Sequence, residues 1–132
     1  MGTEMEAVFE VKGWREEPIA EHGHVAKVTS ARVARTYSGE IEGDSITEWV
    51  MAYAPDGSAT FVGIERINGT MSGRQGSIVL RHVGSYKDGA AVAELTAVPD
   101  CGTGELAGVT GAGDFRADPK GKVHLELAFD EL

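Results

Sequence analysis

The regular spacing of turn-forming residues is the feature that most constrains this fold. The 132 residues include 18 glycines and four prolines, which are spread along the whole chain. Between the turns lie runs rich in Val, Ile, Thr, Phe and Tyr with apolar residues at alternate positions, which is typical of strands joined by hairpins. The turn signals are Glu42-Gly43-Asp44, Pro55-Asp56-Gly57, Ser72-Gly73-Arg74, Lys87-Asp88-Gly89, Asp100 to Gly104 and Asp118-Pro119-Lys120-Gly121.

The pattern predicts strands near residues 5–14, 25–41, 45–54, 59–71, 76–87, 90–99, 104–117 and 122–130. Only residues 16–23 suit a helical turn or an irregular loop. About eight strands in so short a chain leave long exposed edges unless the sheet closes. We therefore expect an all-β fold, with residues 1–132 forming one domain and a single closed antiparallel eight-stranded barrel. A β-sandwich is the alternative, and the short, even connections disfavour it.

Charge and cysteine content restrict the partners and the compartment. Twelve basic and 21 acidic residues give a net charge of −9, which repels nucleic acid and anionic membranes. The single cysteine, Cys101, excludes an intrachain disulfide and a Cys-based metal site, and it suits a reducing cytoplasm. The N-terminal residues lack the features of a signal peptide, and no apolar run approaches the roughly 20 residues that cross a bilayer. We expect a cytoplasmic protein with no nucleic-acid or membrane partner.

The Asp88-Gly89 turn allows the strands on either side of it to be aligned. As a two-residue turn it places His82 opposite Leu95. The more apolar face of this hairpin should point into the barrel, and it takes His82 inward. That face consists of Ile78, Leu80, His82, Ala91, Ala93, Leu95 and Ala97.

The preceding hairpin brings a carboxylate to the same face. If the turn is centred on Gly73-Arg74, Glu65 lies directly opposite His82. A slip of one residue would instead pair Arg66 with His82 and bring two potential cations together. We therefore expect Glu65 and His82 to be adjacent inside the barrel.

The Pro55-Asp56-Gly57 turn leaves two alignments open. A four-residue loop directs Glu48, Val50 and Ala52 inward, whereas a three-residue loop selects the alternate residues. Pro-Asp-Gly favours a type I turn followed by a glycine bulge, and hence the three-residue loop. The inward residues are then Thr47, Trp49, Met51 and Tyr53.

The segment from Val98 to Gly113 is the most distinctive in the chain. Its glycines recur in a regular pattern of Gly-Thr-Gly, then Gly after apolar residues, then Gly-x-Gly. It resembles the late strands of the allene oxide cyclase-like barrels, which include the dirigent proteins. Met51-Ala52-Tyr53, Asp56-Gly57, Phe61 to Arg66 and Gly73 to Ser77 extend the likeness to a bacterial branch of that superfamily. The resemblance implies an eight-stranded barrel, a hydrophobic cavity and frequent oligomerisation. It does not carry over the cyclase reaction.

Glu65 and His82 are the candidate catalytic residues. In a poorly solvated cavity, an imidazole oriented by a carboxylate can accept a proton from a substrate, and a desolvated Glu can act as an acid. The competing interpretation is a buried pair that satisfies its own hydrogen bonds and fixes the register. The candidate ligand-binding residues are the inward apolar and aromatic side chains Trp49, Tyr53, Phe61, Leu80, Tyr86 and Leu95.

Two further constellations are weaker. Ser77 or Ser85 could complete a hydrolase triad with His82, but both fall on the opposite strand face and no nucleophile-elbow motif is present. Glu21-His22-Gly23-His24, with His124, could chelate a divalent metal, although a solvated loop explains these residues better. We therefore expect no metal site and no cofactor.

The favoured function is binding of a small hydrophobic or partly polar molecule inside the barrel. Cofactor-free isomerase or cyclase chemistry would add proton transfer by Glu65 and His82. The alternatives are a non-catalytic carrier or sensor, and a structural homo-oligomer whose interior is filled by its own side chains. Outward valines predict a homo-oligomer in any of these cases, and they are Val79, Val83, Val92 and Val98.

Overall fold

The computed structural model describes residues 2–20, 27–118 and 120–129. These residues form nine strands and no helix, so none of them belongs to a helix that could span a membrane. The strands are β1 (Thr3–Ala20), β2 (Lys27–Gly39), β3 (Ile41–Tyr53), β4 (Ala59–Met71), β5 (Arg74–Lys87), β6 (Ala90–Ala97), β7 (Thr103–Gly104), β8 (Thr110–Ala117) and β9 (Gly121–Ala128).

The strands close into a barrel in which neighbours in sequence are neighbours in space. Every pairing between the described strands is antiparallel, from β1–β2 through β5–β6, β6–β8 and β8–β9 to β9–β1. The pairing of β4 with β5 completes the ring, and the short β7 pairs only with β5. The predicted all-β, closed, antiparallel eight-stranded barrel is confirmed, with β7 as a small addition outside the ring.

Two of the predicted hairpins have the expected register. Asp88 and Gly89 both adopt positive φ, at 54° and 80°, as a tight two-residue hairpin requires, and His82 lies opposite Leu95. Across the Pro-Asp-Gly turn, Tyr53 pairs with Ala59, which matches the three-residue loop. Trp49 is therefore buried, and Glu48 and its even-numbered neighbours point outward.

The predicted turn at Glu42-Gly43-Asp44 is wrong, because these residues lie within β3. The chain turns instead at Gly39, whose φ of 109° favours glycine. Gly43 has a different reason to be glycine. A Cβ there would lie 2.1 Å from the carbonyl oxygen of Asn68 on β4, so the absent side chain permits a close backbone approach.

Two other predicted segments are also corrected. Residues 104–117 do not form one strand, because turns at Gly104 and Gly108, both with positive φ, separate β7 from β8 and bury Leu106 between them. Residues 16–20 continue β1 rather than forming a helical turn or loop. The rest of that prediction, and the possible metal ligands at residues 21–24, lie outside the described residues.

The predicted register between β4 and β5 is wrong by two residues. The turn is Ser72-Gly73, with φ values of 47° and 81°, rather than Gly73-Arg74. Glu65 therefore lies opposite Leu80, and His82 lies opposite Gly63. Because side chains alternate with a period of two, the shift changes the partners but leaves Glu65 and His82 on the inner face.

A β-bulge at Lys12 changes which residues of β1 face inward. The pairing with β2 skips a residue between Val11 and Gly13. Before the bulge, odd-numbered residues such as Phe9 are buried, whereas beyond it Trp14 lies opposite the buried Val33. This switch brings the Trp14 ring to 5.6 Å from the Trp49 ring, measured between ring centroids.

Side chains fill most of the interior. Their packing leaves space near the end of the barrel that carries the Pro55–Gly57 and Asp88–Gly89 turns. The fully buried aliphatic side chains away from this end include Ile41, Ile67, Met71, Ile78, Leu80, Leu95, Leu125 and Leu127.

Candidate functional site

A pocket of about 330 Å³ occupies this end of the barrel, and we call it the mouth pocket. Its volume is at the lower end of the range for small-molecule sites. Apart from one arginine, two tyrosine hydroxyls and two indole N–H groups, the described residues that line it are apolar. The lining residues are Phe9, Val11, Trp14, Arg35, Trp49, Met51, Tyr53, Phe61, Tyr86, Gly89, Ala91, Phe115 and Ala117.

Aromatic rings of the mouth pocket lie over glycines of neighbouring strands. Trp49 is paired with Gly63, and Phe61 with Gly84. A Cβ on Gly63 would lie 2.6 Å from the Trp49 ring, and a Cβ on Gly84 would lie 2.6 Å from the Phe61 ring. The glycines thus leave room for rings to lie against the backbone, which places the Trp49 and Phe61 centroids 4.5 Å apart.

Gly63→Ala is expected to lower the free energy of unfolding by roughly 1–3 kcal/mol, because the new Cβ overpacks the Trp49 ring and the carbonyl of Glu48. Urea denaturation measures the change. Gly13→Ala is the matched control, since the nearest atom to its Cβ is 3.7 Å away. Equal stability of the two variants would show that the Trp49 ring does not depend on the glycine.

Arg35 of β2 forms the polar floor of the mouth pocket. Its side chain is only 2% exposed, and its guanidinium carbon lies 4.0 Å from the Phe9 ring centroid and 4.6 Å from that of Phe115. The guanidinium is thus held among the rings that line the pocket. It donates one hydrogen bond, from Nη1 to the Tyr37 hydroxyl at 3.3 Å, whereas Nε has no partner among the described residues.

Glu65 lies behind this floor and is fully buried. One carboxylate oxygen accepts hydrogen bonds from the hydroxyls of Tyr37 and Ser45, both at 2.6 Å, and lies 3.7 Å from Nη1 of Arg35. The other oxygen is 2.8 Å from Nε2 of His82. Burial by itself raises the pKa of Glu65, but these hydrogen bonds and the Arg35 charge outweigh it and lower that pKa to about 2.

His82 links this carboxylate to the pocket wall. The indole N–H of Trp49, which can only donate, lies 3.1 Å from Nδ1 of His82. Nδ1 must therefore be the unprotonated nitrogen, and Nε2 carries the proton that it donates to Glu65. Both ring nitrogens are occupied, so the imidazole positions the Trp49 ring.

A second polar group lies at the rim. The Glu16 carboxylate accepts hydrogen bonds from the Tyr53 hydroxyl, from Trp14 Nε1 at 3.1 Å and from the Thr29 hydroxyl at 2.6 Å. Burial and the hydrogen bond to Glu16 raise the pKa of Tyr53 to about 12. Tyr53 is therefore a neutral hydrogen-bond donor at neutral pH. Glu16 thus links Trp14 and Tyr53, two aromatic residues that line the pocket, to Thr29 of β2.

The structure separates the predicted site residues into three groups. Trp49, Tyr53, Phe61 and Tyr86 line the mouth pocket. Leu80 and Leu95 are buried in the core and do not line it. Glu65 and His82 are adjacent and fully buried, yet neither belongs to the lining. Whether any of these residues binds or transforms a ligand stays a prediction.

Arg35 and several other residues of the site were not predicted from the sequence. Arg35 is in phase with the buried Ala31, Val33 and Tyr37 on β2, and that alternation was the available signal. The other site residues that were not predicted are Phe9, Trp14, Glu16, Tyr37, Ser45 and Phe115.

Among the described residues, no three His, Cys, Asp or Glu side chains are grouped so as to hold a metal ion.

Comparison with known proteins identifies the family. Residues 5–129 match the family described as a protein of unknown function, DUF3224. A crystal structure of a DUF3224 protein with unknown function from Shewanella oneidensis MR-1 is 28% identical in sequence. The two align over 99% of this chain and 100% of that chain, with a TM-score of 0.77. No curated protein matches the sequence. Since the match spans nearly all of its residues, the chain belongs to the DUF3224 family.

Proposed function

We propose that this protein binds a small, largely apolar molecule in the mouth pocket and acts as a carrier or sensor. The observation that carries the proposal is an aromatic-lined space of about 330 Å³ with a single buried cation on its floor. Predominantly apolar pockets with a few placed polar groups are typical of ligand sites.

The geometry supports binding more than proton transfer. A general base must come within hydrogen-bonding reach of the proton that it removes. Both nitrogens of His82 already have partners, and Glu65 accepts three hydrogen bonds and is ion-paired with Arg35 behind the pocket floor. Isomerase or cyclase activity of this pair remains the weaker candidate, and the allene oxide cyclase-like resemblance stays a prediction.

Two accompanying proposals concern the setting of this function. Outward-facing Val83 and Val92 are exposed, while Val79 and Val98 are half-buried. This apolar outer surface supports the proposal of a homo-oligomer. The single cysteine supports the proposal of a cytoplasmic location.

Binding of N-phenyl-1-naphthylamine, a neutral apolar fluorophore, tests the proposed function. We expect its emission to rise and to saturate at about one equivalent per chain. Ala91→Phe places a ring in the mouth pocket and should weaken binding about tenfold or more, because Ala91 forms part of the lining.

Ala52→Phe is the matched control, since Ala52 lies on the outer face of β3 and does not line the pocket. Its affinity should equal that of the wild type, and circular dichroism checks that both variants fold. If the fluorophore does not bind, or binds Ala91→Phe as tightly as the wild type, the mouth pocket is not its site.

A further inference from the structure

Arg35 has unused hydrogen-bonding capacity at the floor of the mouth pocket. A guanidinium carries five N–H donors, and a buried donor without an acceptor is unfavourable. The described residues supply one hydrogen bond, to Tyr37, and an ion pair with Glu65 at 3.7 Å. The Arg35 side chain also lines the pocket, so an occupant of the pocket can offer the missing acceptor.

The charge on this floor is already balanced. Glu65 is ionised, because its hydrogen bonds and the Arg35 charge keep its pKa far below neutrality. The buried Arg35–Glu65 pair therefore has no net charge. An anionic ligand would bring a second negative charge close to Glu65 in poorly solvated surroundings, which is unfavourable. A neutral acceptor, such as a carbonyl oxygen, can bind Arg35 without this penalty.

The shape of the pocket restricts the rest of the ligand. Trp49, Phe61 and Phe115 lie close to one another, and the planes of Trp49 and Phe61 each make an angle of 19° with that of Phe115. Trp49 and Phe61 are tilted by 37° to each other, so only Phe115 is nearly parallel to both, and together the three rings present flat faces rather than a round cavity. Flat, conjugated molecules are those that such faces bind best.

We infer that the mouth pocket takes a neutral, flat, conjugated molecule with a hydrogen-bond acceptor oxygen, such as an aromatic ketone, and selects against a carboxylate of the same size. The inference rests on the proposed function. The flat body contacts the aromatic rings, and the acceptor oxygen is directed to Arg35. The balanced charge of the floor determines the selectivity.

Three naphthalenes that differ at one substituent test the inference by displacement of N-phenyl-1-naphthylamine. They are 2-acetylnaphthalene, a neutral ketone; 2-ethylnaphthalene, which has no acceptor; and 2-naphthoate, an anion. We expect the ketone to bind about tenfold or more tightly than the other two, since a hydrogen bond to a charged donor has about that effect. Equal affinity for ketone and ethyl compound, or tightest binding of the naphthoate, overturns the inference while the proposed function stands.

Arg35→Lys keeps the charge beside Glu65 but removes the planar fork of donors. We expect the preference for ketone over ethyl compound to fall below about threefold in this variant. Arg32→Lys, at an exposed position on the same strand, is the control and should keep the full preference. An unchanged preference in Arg35→Lys excludes Arg35 as the recognising group. Failure of the fluorophore itself to bind refutes the proposed function instead.

Discussion

Glu65→Gln is expected to lower the free energy of unfolding by about 3–5 kcal/mol, the range typical of breaking a buried ion pair. Glutamine keeps the size of the side chain but leaves the Arg35 guanidinium buried without a counter-charge. It also weakens the acceptors for Tyr37, Ser45 and His82. Urea denaturation followed by tryptophan emission measures the change.

The matched control is Glu48→Gln, the same substitution in an ion pair with Arg32 whose side chains are more than half exposed. Exposed pairs contribute little to stability, so this variant should unfold almost as the wild type does. A Glu65→Gln variant as stable as Glu48→Gln would mean that the buried network does not hold the barrel together.

The second large expected effect is a loss of stability at acidic pH, caused by protonation of Glu65. The pKa of Glu65 is lowered from its ordinary value of 4.5 to about 2 in the folded protein. A carboxyl whose pKa is lower in the folded state stabilises that state above its unfolded pKa, and the contribution is lost as pH falls. The shift corresponds to about 3 kcal/mol, which should disappear between about pH 4.5 and pH 2.

Other carboxyl groups also titrate in this range, so the difference between the wild type and Glu65→Gln isolates the effect. We expect this difference in unfolding free energy to be constant above about pH 5 and to shrink by about 3 kcal/mol by pH 2. A difference independent of pH would show that Glu65 is not ionised inside the barrel.

The architecture could be predicted because turn chemistry is local. Asp88-Gly89 leaves one choice of two-residue hairpin, and the residues opposite each other across it were predicted correctly. Ser72-Gly73-Arg74 allows two choices, since either adjacent pair of residues can form the turn. Moving the turn by one residue shifts each pairing by two residues. The predicted inner face is therefore correct, whereas the predicted partner of Glu65 is wrong.

The polar network was harder to predict, because its members come from strands that are distant in sequence. Glu65 and His82 were found because adjacent hairpins place them together. Arg35 depends on the β2–β3 register, and the wrong turn at Glu42–Asp44 removed the alignment of Arg35 with Ser45. The contribution of Trp14 depends on the Lys12 bulge, for which alternation of apolar residues gives no warning.

The bulge at Lys12 also divides β1 into two stretches that are free to change separately. The first stretch, up to Phe9, packs in the core and pairs with β9. The second supplies Trp14 and Glu16 to the rim of the pocket. One unpaired residue between them absorbs the difference in phase, so insertion or loss of a residue beyond it alters the rim and leaves the core pairing intact. Changes at the rim can therefore leave intact the β1–β9 pairing that closes the barrel.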